Sequence, residues 1–389
     1  MIELDEALGI TAAAGAARFP VETVALEHAL GRVLASPVIS PIDSPPFARS
    51  AMDGFAVRAD DTSSSLRVVE VVAAGASPRA ELRTGECARI MTGAMLPPGA
   101  GRVIRREFVE EAEGIIRPSR AETGSNVILR GANLRAGDVI LAPKRLAPQD
   151  IGILAASGVA RVEVAVPPTV GILSTGSEIR APGETLGPGE IYNSSAAQIA
   201  AQLAVTGCPA RFLGAVADEQ AGLQEAIRRG LTDCDIVLLT GGVSAGDFDF
   251  VPGCLRALGA EILFHGVAVK PGKPTLFARA GARFVFGLPG NPVSTFVMFE
   301  VFVKPFLFRR MGIEWAPAQF RGRLAERIRR KGTERTEFLP VRIRAGEVFP
   351  VAYHGSAHLN AIGEADGLIR MEKGVEALGE GAEIDVRPL

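Results

Sequence analysis

Aromatic side chains other than phenylalanine are scarce: the 389 residues include one Trp and two Tyr. Few stacking platforms for unpaired bases are therefore available. A basic excess is missing as well. Lys and Arg number 42 against 44 Asp and Glu, a formal charge of −2. Nothing is left over to displace counterions from a phosphate backbone, which excludes a nucleic-acid partner. The four cysteines, Cys87, Cys208, Cys234 and Cys254, contain no C-x-x-C pair. That excludes a disulfide framework or cysteine zinc site and suits a reducing cytoplasm. The four histidines show no zinc spacing either; His354 and His358 stand four apart, but Gly355 and Ser356 between them disfavour a helix. No long uninterrupted apolar run exists. Pro292 to Phe308 is broken by Glu300 and Lys304 and reads as a buried helix, so no membrane partner is expected. The N-terminal MIELDEALGI lacks a basic stretch ahead of an apolar one, so no secretory signal is expected and the cytoplasm is the expected location.

What is present is glycine and proline, 44 and 26 of them, in a chain 47% hydrophobic and 22% charged. This is a soluble composition with many built loops, and the length predicts about two to four domains. Val24, Leu26, Leu30 and Leu34 recur at helical spacing and predict a helix broken at Gly31. The stretch Ser40-Pro41-Ile42-Asp43-Ser44-Pro45-Pro46 reads as a domain crossing. Short β-rich runs follow (LRVVEVV, CARIM, GRVI, GIIRP, NVIL, DVIL). Helical character returns at Pro148 to Ser157. This order predicts a discontinuous N-terminal domain, residues 1–40 and 138–166, with a β-rich arm at 41–137 inserted into it. Residues 167–312 alternate strand and helix, which predicts a parallel sheet with helices on both faces, a three-layer α/β domain. Residues 313–389 predict a small β-barrel or sandwich.

Such sheets bind ligands beyond the carboxyl ends of their strands. The candidate loops lie there. In TGGVSAGDFD, Gly241 and Gly242 let backbone amides approach an anion, Ser244 and Gly246 extend the loop, and Asp247 and Asp249 could hold a hard cation. A tight turn with solvated acids is the alternative. KPGKP places Lys270 and Lys273 about a Pro-Gly corner, as an anion clamp or a plain surface turn; its spacing fails as a nucleotide P-loop. GLPGNPVST supplies Pro289, Gly290, Asn291 and Pro292 at a strand-to-helix junction, where free amides could face an anion or Asn291 could simply cap. LSTGSE ends a strand with Glu178 near Asp249, or starts a capped helix. In the β-rich region Asp53-Gly54 and Thr92-Gly93 are turn-like taken singly. Together these groups describe a site for a polyanion and a hard metal ion.

In this order SAMDGFAV, RIMTGA, STGSE, IYNSS, TGGVSAGDFD, KPGKP and GLPGNPVST resemble the molybdopterin molybdenumtransferase family, which includes bacterial MoeA and the E domain of gephyrin. The resemblance covers essentially the whole chain. It implies four domains, with an α/β domain like that of the molybdopterin-adenylylating enzymes, an inserted β-rich arm and a C-terminal β-barrel. It implies a homodimer whose site joins one subunit's α/β domain to the other's arm. The implied reaction converts adenylyl-molybdopterin and molybdate to molybdenum cofactor, AMP and water. By the same resemblance Asp53, Glu178 and Asp249 would hold magnesium and Lys270 and Lys273 would neutralise the anions; Asp218, just after a strand in AVADE, reads as the acid that delivers protons as oxo groups leave or as a plain loop acid. Thr92, Asn193, Gly241, Gly242, Ser244, Gly246, Pro289, Gly290, Asn291, Pro292, Arg335 and Ser356 would bind substrate. The adenylylating enzyme itself is a further expected partner.

Departures from the family pattern are local. Gly101 stands where an acid is usual, Ala132 and Asn133 replace two acids, and Asn360-Ala361 replace a serine pair. These differences favour a second reading, a non-catalytic cofactor-binding or scaffold paralogue; the retained acids and lysines favour the enzyme. The adenylylating activity is disfavoured because it resides in a lone α/β domain. Molybdate and tungstate are not distinguished by any of these residues.

Overall fold

The computed structural model describes residues 1–217, 219–243 and 250–389. Asp218, Ser244, Gly246, Asp247 and Asp249 lie outside the described residues. The chain divides into two compact units, one of Met1–Glu22, Gly31–Ala35 and Val164–Leu389, the other of Thr23–Leu30 and Ser36–Glu163.

The first unit is built on a six-stranded sheet ordered Ala210–Val216, Val170–Thr175, Ile236–Thr240, Arg283–Leu288, Leu276–Ala280, Glu261–His265. Side-chain alternation explains its two faces. Ile172, Ile236, Leu238, Phe284 and Phe286 point into one core with Ile199 and Leu203 of the helix Ser194–Thr206 and with Val293 and Val297 of the helix Pro292–Met298. Their neighbours Leu173, Val237, Leu239 and Val285 point into the other, under Leu223 and Ile227 of Gln220–Asp233 and Leu255 of Val251–Ala257. Helices thus cover both faces, as expected. The sheet is mixed, however, not parallel throughout: Leu276–Ala280 and Glu261–His265 join antiparallel. A tight turn at Gly281 connects Leu276–Ala280 to Arg283–Leu288, leaving no room for a crossover helix.

The apolar run from Pro292 is a buried helix, as its charges suggest. It continues through one π-helical stretch, Phe299–Val303, into Lys304–Arg310. Among the described residues no helix is long and apolar enough to cross a membrane. The C-terminal part closes a five-stranded barrel in the order Thr336–Arg344, Glu347–Pro350, Phe320–Leu324, Glu383–Pro388, Gly367–Met371 and back to Thr336–Arg344. Leu324, Val341, Val348, Ile369 and Val386 fill it.

The predicted helix over Val24 to Leu34 does not form. Val21–Ala25 is a strand, Leu26–His28 is one 3-10 turn, and Leu30 is exposed. Val21, Thr23 and Val24 are β-branched or adjacent to such residues, and extended backbone suits them better than a helix turn. The helix before it, Leu4–Ala14, buries Leu4, Ala7 and Thr11 on one side.

The second unit carries a six-stranded sheet of Arg102–Arg105, Gly54–Val57, Glu86–Ile90, Leu66–Val72, Ile115–Pro118 and Val109–Ala112. Phe55, Val57, Cys87 and Ile104 pack on one face and Ala56, Ala88, Ile90 and Val103 on the other. Leu66 and Val72 share a parity yet reach opposite faces, because the register shifts between Val68 and Glu70.

Candidate functional site

Three neighbouring parallel strands of the first unit end in motif residues. Val170–Thr175 runs into Gly176, Ile236–Thr240 into Gly241-Gly242, and Arg283–Leu288 into the junction at Gly290. At these carboxyl ends lies a cavity of about 640 Å³. Glu178, Asn193, Gly241, Gly242, Gly290, Asn291 and Pro292 line it together. Ser174, Thr175 and Thr240 also line it and were not singled out from the sequence. Their signal was available: a parallel register sets Ser174 opposite Thr240, so two strand ends present hydroxyls at one level.

The hydroxyls form one connected network. Asn193 caps the helix Ser194–Thr206, its Oδ1 accepting from Ala196 N at 3.1 Å, while its Nδ2 donates to Ser174 Oγ at 2.8 Å. Thr240 Oγ1 donates to Ser174 Oγ at 3.2 Å, and Thr175 Oγ1 donates to the Thr240 carbonyl at 3.3 Å. All four side chains are buried. Gly241 crosses directly over this network with φ +89°; a β-carbon there would stand 2.7 Å from Thr175 Oγ1 and 2.9 Å from its carbonyl oxygen. Only glycine allows both the conformation and the approach.

The other two expectations for this cavity fare differently. No helix follows LSTGSE; Ile179–Arg180 is instead a short strand paired with Ile191–Tyr192. Asn291 occupies the cap position of the helix Pro292–Met298, yet its side chain makes no capping bond. That helix does not present all its first amides to the cavity. Val293 N donates to the Ser356 carbonyl at 3.1 Å and Thr295 N to the Asn291 carbonyl at 3.0 Å. Ser356 therefore approaches the site through its backbone, beside Ala357 and Leu359 in the lining. Pro289 is held by Thr295, whose Oγ1 donates to its carbonyl at 2.6 Å.

Lys270 and Lys273 are not among the lining residues. Lys270 Nζ pairs with Glu337 Oε1 at 2.8 Å, Lys273 is exposed, and Arg335 Nη1 donates to the Val269 carbonyl at 3.3 Å. In the second unit Asp53 and Thr92 do meet. Gly54 pairs opposite Ile90 in antiparallel strands, which brings the residues flanking that pair together. Asp53 Oδ1 accepts from Thr92 Oγ1 at 2.6 Å and from Thr92 N at 2.7 Å. These two bonds, the hydroxyl's first, hold the Asp53 carboxyl below the usual carboxylate range. Gly54 is required because a β-carbon would sit 2.0 Å from the Ile104 carbonyl oxygen. Gly101 has a similar reason: a β-carbon would stand 2.6 Å from that of Ala59, so an acid there would demand repacking.

Residues 2–158 match the MoeA N-terminal region (domain I and II), 171–309 the probable molybdopterin binding domain, and 321–389 the MoeA C-terminal region (domain IV). The molybdopterin molybdenumtransferase of Staphylococcus epidermidis is 32% identical, over 93% of this chain and 89% of its own. The chain belongs to the molybdopterin molybdenumtransferase family. It is accordingly a transferase of molybdenum cofactor biosynthesis, and its fold is that of the family. The Bacillus subtilis member is 39% identical over 74% of this chain and 70% of its own. The molybdopterin biosynthesis moeA protein of Pyrococcus horikoshii OT3 superposes with a TM-score of 0.88 at 29% identity, covering 100% of both chains.

Proposed function

We propose that the chain inserts molybdenum from molybdate into adenylyl-molybdopterin and releases AMP. The observation that carries this reading is the cavity at three parallel strand ends, where, among the described residues, glycine turns, hydroxyls, two helix starts and the carboxylate of Glu178 converge. Such a lining suits an anionic, hydroxyl-rich ligand with a pyrophosphate. Gly241, Gly242, Ser244, Gly246, Asn193 and the segment Pro289 to Pro292 bind that substrate in this reading. Lys270, Lys273, Arg335 and Ser356 meet the molybdate dianion, and Asp218 delivers protons as oxo groups leave as water.

A hard dication fits the donor set of the cavity, which among the described residues consists of hydroxyls, amides and the Glu178 carboxylate with no thiol or imidazole. No group of three His, Cys, Asp or Glu assembles among the described residues. We infer from the family resemblance that magnesium would be held by Glu178 with Asp249 and with Asp53 supplied by a second copy of the chain, next to Thr92. Bound there, it supplies charge neutralisation for pyrophosphate cleavage. In this reading the enzyme is a cytoplasmic homodimer. Its domains are residues 1–40 with 138–166, 41–137, 167–312 and 313–389, and the adenylylating enzyme delivers its substrate.

The test is incubation of the purified chain with adenylyl-molybdopterin, magnesium and molybdate or tungstate, following AMP. Oxyanion-dependent AMP release supports the reading. A folded protein that binds adenylyl-molybdopterin without releasing AMP is instead the non-catalytic paralogue that Gly101, Ala132, Asn133, Asn360 and Ala361 suggest.

A further inference from the structure

The short strand Val269–Lys270 leads into KPGKP from the α/β part of its unit. It pairs in parallel with the start of the barrel strand Thr336–Arg344, Val269 opposite Thr336 and Lys270 opposite Glu337. Thr336 N donates to the Ala268 carbonyl at 3.1 Å and fixes that register. Lys270 is consequently laid over Glu337, with Nζ 2.8 Å from Oε1. The two partners differ in environment: the Lys270 side chain is 48% exposed, whereas Glu337 is 3% exposed. Behind Glu337 stands buried Arg330, its Nη1 3.6 Å from Oε2, and Oε2 itself makes no hydrogen bond. Arg330 is tied down on every side, Nε to the Val375 carbonyl, Nη2 to the Glu372 carbonyl and Nη1 to the Arg335 carbonyl.

Burying a carboxylate is costly unless it is paired, and a half-exposed lysine is a poor compensation if stability were the sole outcome. The arrangement makes sense in the other direction. A lysine on a flexible stem sweeps a wide volume, and a fixed counter-charge from below restricts its ammonium to one place. We propose that Glu337 is a positioning residue of the transferase. It sets the Lys270 ammonium directly and steadies the Arg335 backbone through Arg330, so that two of the three cations placed at the oxyanion stand on one buried carboxylate. The inference rests on the placement of Lys270 and Arg335 at molybdate proposed above.

The test uses the full-length protein with saturating adenylyl-molybdopterin, varying molybdate and following AMP. Glu337→Gln keeps the shape and removes the charge. It should raise the KM for molybdate roughly tenfold, the scale of one charge-assisted hydrogen bond, with kcat little changed. Lys270→Ala should raise it at least as much, and the double variant should fall short of the product of the two single effects, because Glu337 acts in part through that lysine. Glu337→Asp keeps the charge beside Arg330 but draws the oxygen back from Lys270; an intermediate KM is expected, and this variant decides the matter if the Gln variant does not fold. An unchanged KM in either folded Glu337 variant, or additive effects in the double variant, overturns the inference while leaving Lys270 in the site. An unchanged KM in Lys270→Ala removes the lysine from the oxyanion, and the inference falls with it.

Discussion

Replacing Gly241 by Ala should damage both the stability of the first unit and turnover. An alanine at φ +89° costs roughly 1–2 kcal/mol in backbone strain. The added carbon also meets Thr175 Oγ1 at 2.7 Å and the Thr175 carbonyl oxygen at 2.9 Å. The hydroxyl can turn away only by giving up its bond to Thr240, a net loss of about 1 kcal/mol. The carbonyl belongs to a central strand paired on both sides and cannot retreat independently. The sum is about 2–4 kcal/mol, at the severe end for one methyl group. Urea denaturation followed by the fluorescence of Trp315, stacked on Phe308 within the same unit, reads the change. Gly253→Ala is the control: that glycine lies inside the helix Val251–Ala257 with open space where its β-carbon would be, so stability should rise by about 0.5–1 kcal/mol. AMP release should fall in Gly241→Ala and persist in Gly253→Ala. Equal midpoints for Gly241→Ala and the parent, with equal turnover, would refute the close-approach argument.

Asn193→Ala should cost about 2 kcal/mol, from the lost cap and the lost bond to Ser174 together, whereas Asn193→Asp keeps the cap and should lose about half of that; equal midpoints for the two variants would contradict the division. Thr92→Val should move the Asp53 titration up toward the ordinary carboxylate range, since the Thr92 hydroxyl is the first cause of its depression. A depressed carboxylate contributes stability that is present above its unfolded pKa and lost as pH falls through its lower folded value, so the variant should lose that contribution at a higher pH than the parent; carbon-detected NMR of the Asp53 carboxyl checks this, and an unmoved titration speaks against it. Burial first, then the charges of Glu111 and Asp61, push the Cys87 thiol up to about 12, so it should resist alkylation at pH 8 in the folded protein; rapid labelling of Cys87 by iodoacetamide would show otherwise. Mixing inactive Asp53→Asn with inactive Asp249→Asn should restore roughly a quarter of parental AMP release, because about half the dimers are hybrids with one intact site each; exchange of subunits without recovery would dismiss the shared site.

Much of this was legible because local rules were enough. Apolar strands closed by Gly or Pro located the α/β elements, and a sheet of that kind puts its loops at the carboxyl ends, where Glu178, Gly241 and Asn291 do meet. The hairpin at Gly281 departs from the strand–helix alternation because its turn is too short for a helix. Helical spacing over Val24 to Leu34 does not make a helix because the β-branched residues around it favour extended backbone. Lys270 looked like a free clamp since its partner, Glu337, is set by a long-range strand register that no nearby residue announces. The loop of Asp53 and the loop of Thr92 were each turn-like singly; antiparallel pairing of Gly54 with Ile90 is what made them one feature.

The strand Val269–Lys270, knitted onto the barrel, has a consequence for how such chains can be recombined. A graft that exchanges the C-terminal barrel with that of a relative is easily cut near residue 313, where the helix Lys304–Arg310 has ended. The donor barrel would then bring its own residues at the positions of Arg330, Arg335 and Glu337, while the recipient keeps Ala268, Val269 and Lys270. Compatible grafts must therefore match across a seam that is continuous in hydrogen bonds but far apart in sequence, and the barrel is inherited with its lysine loop or poorly at all.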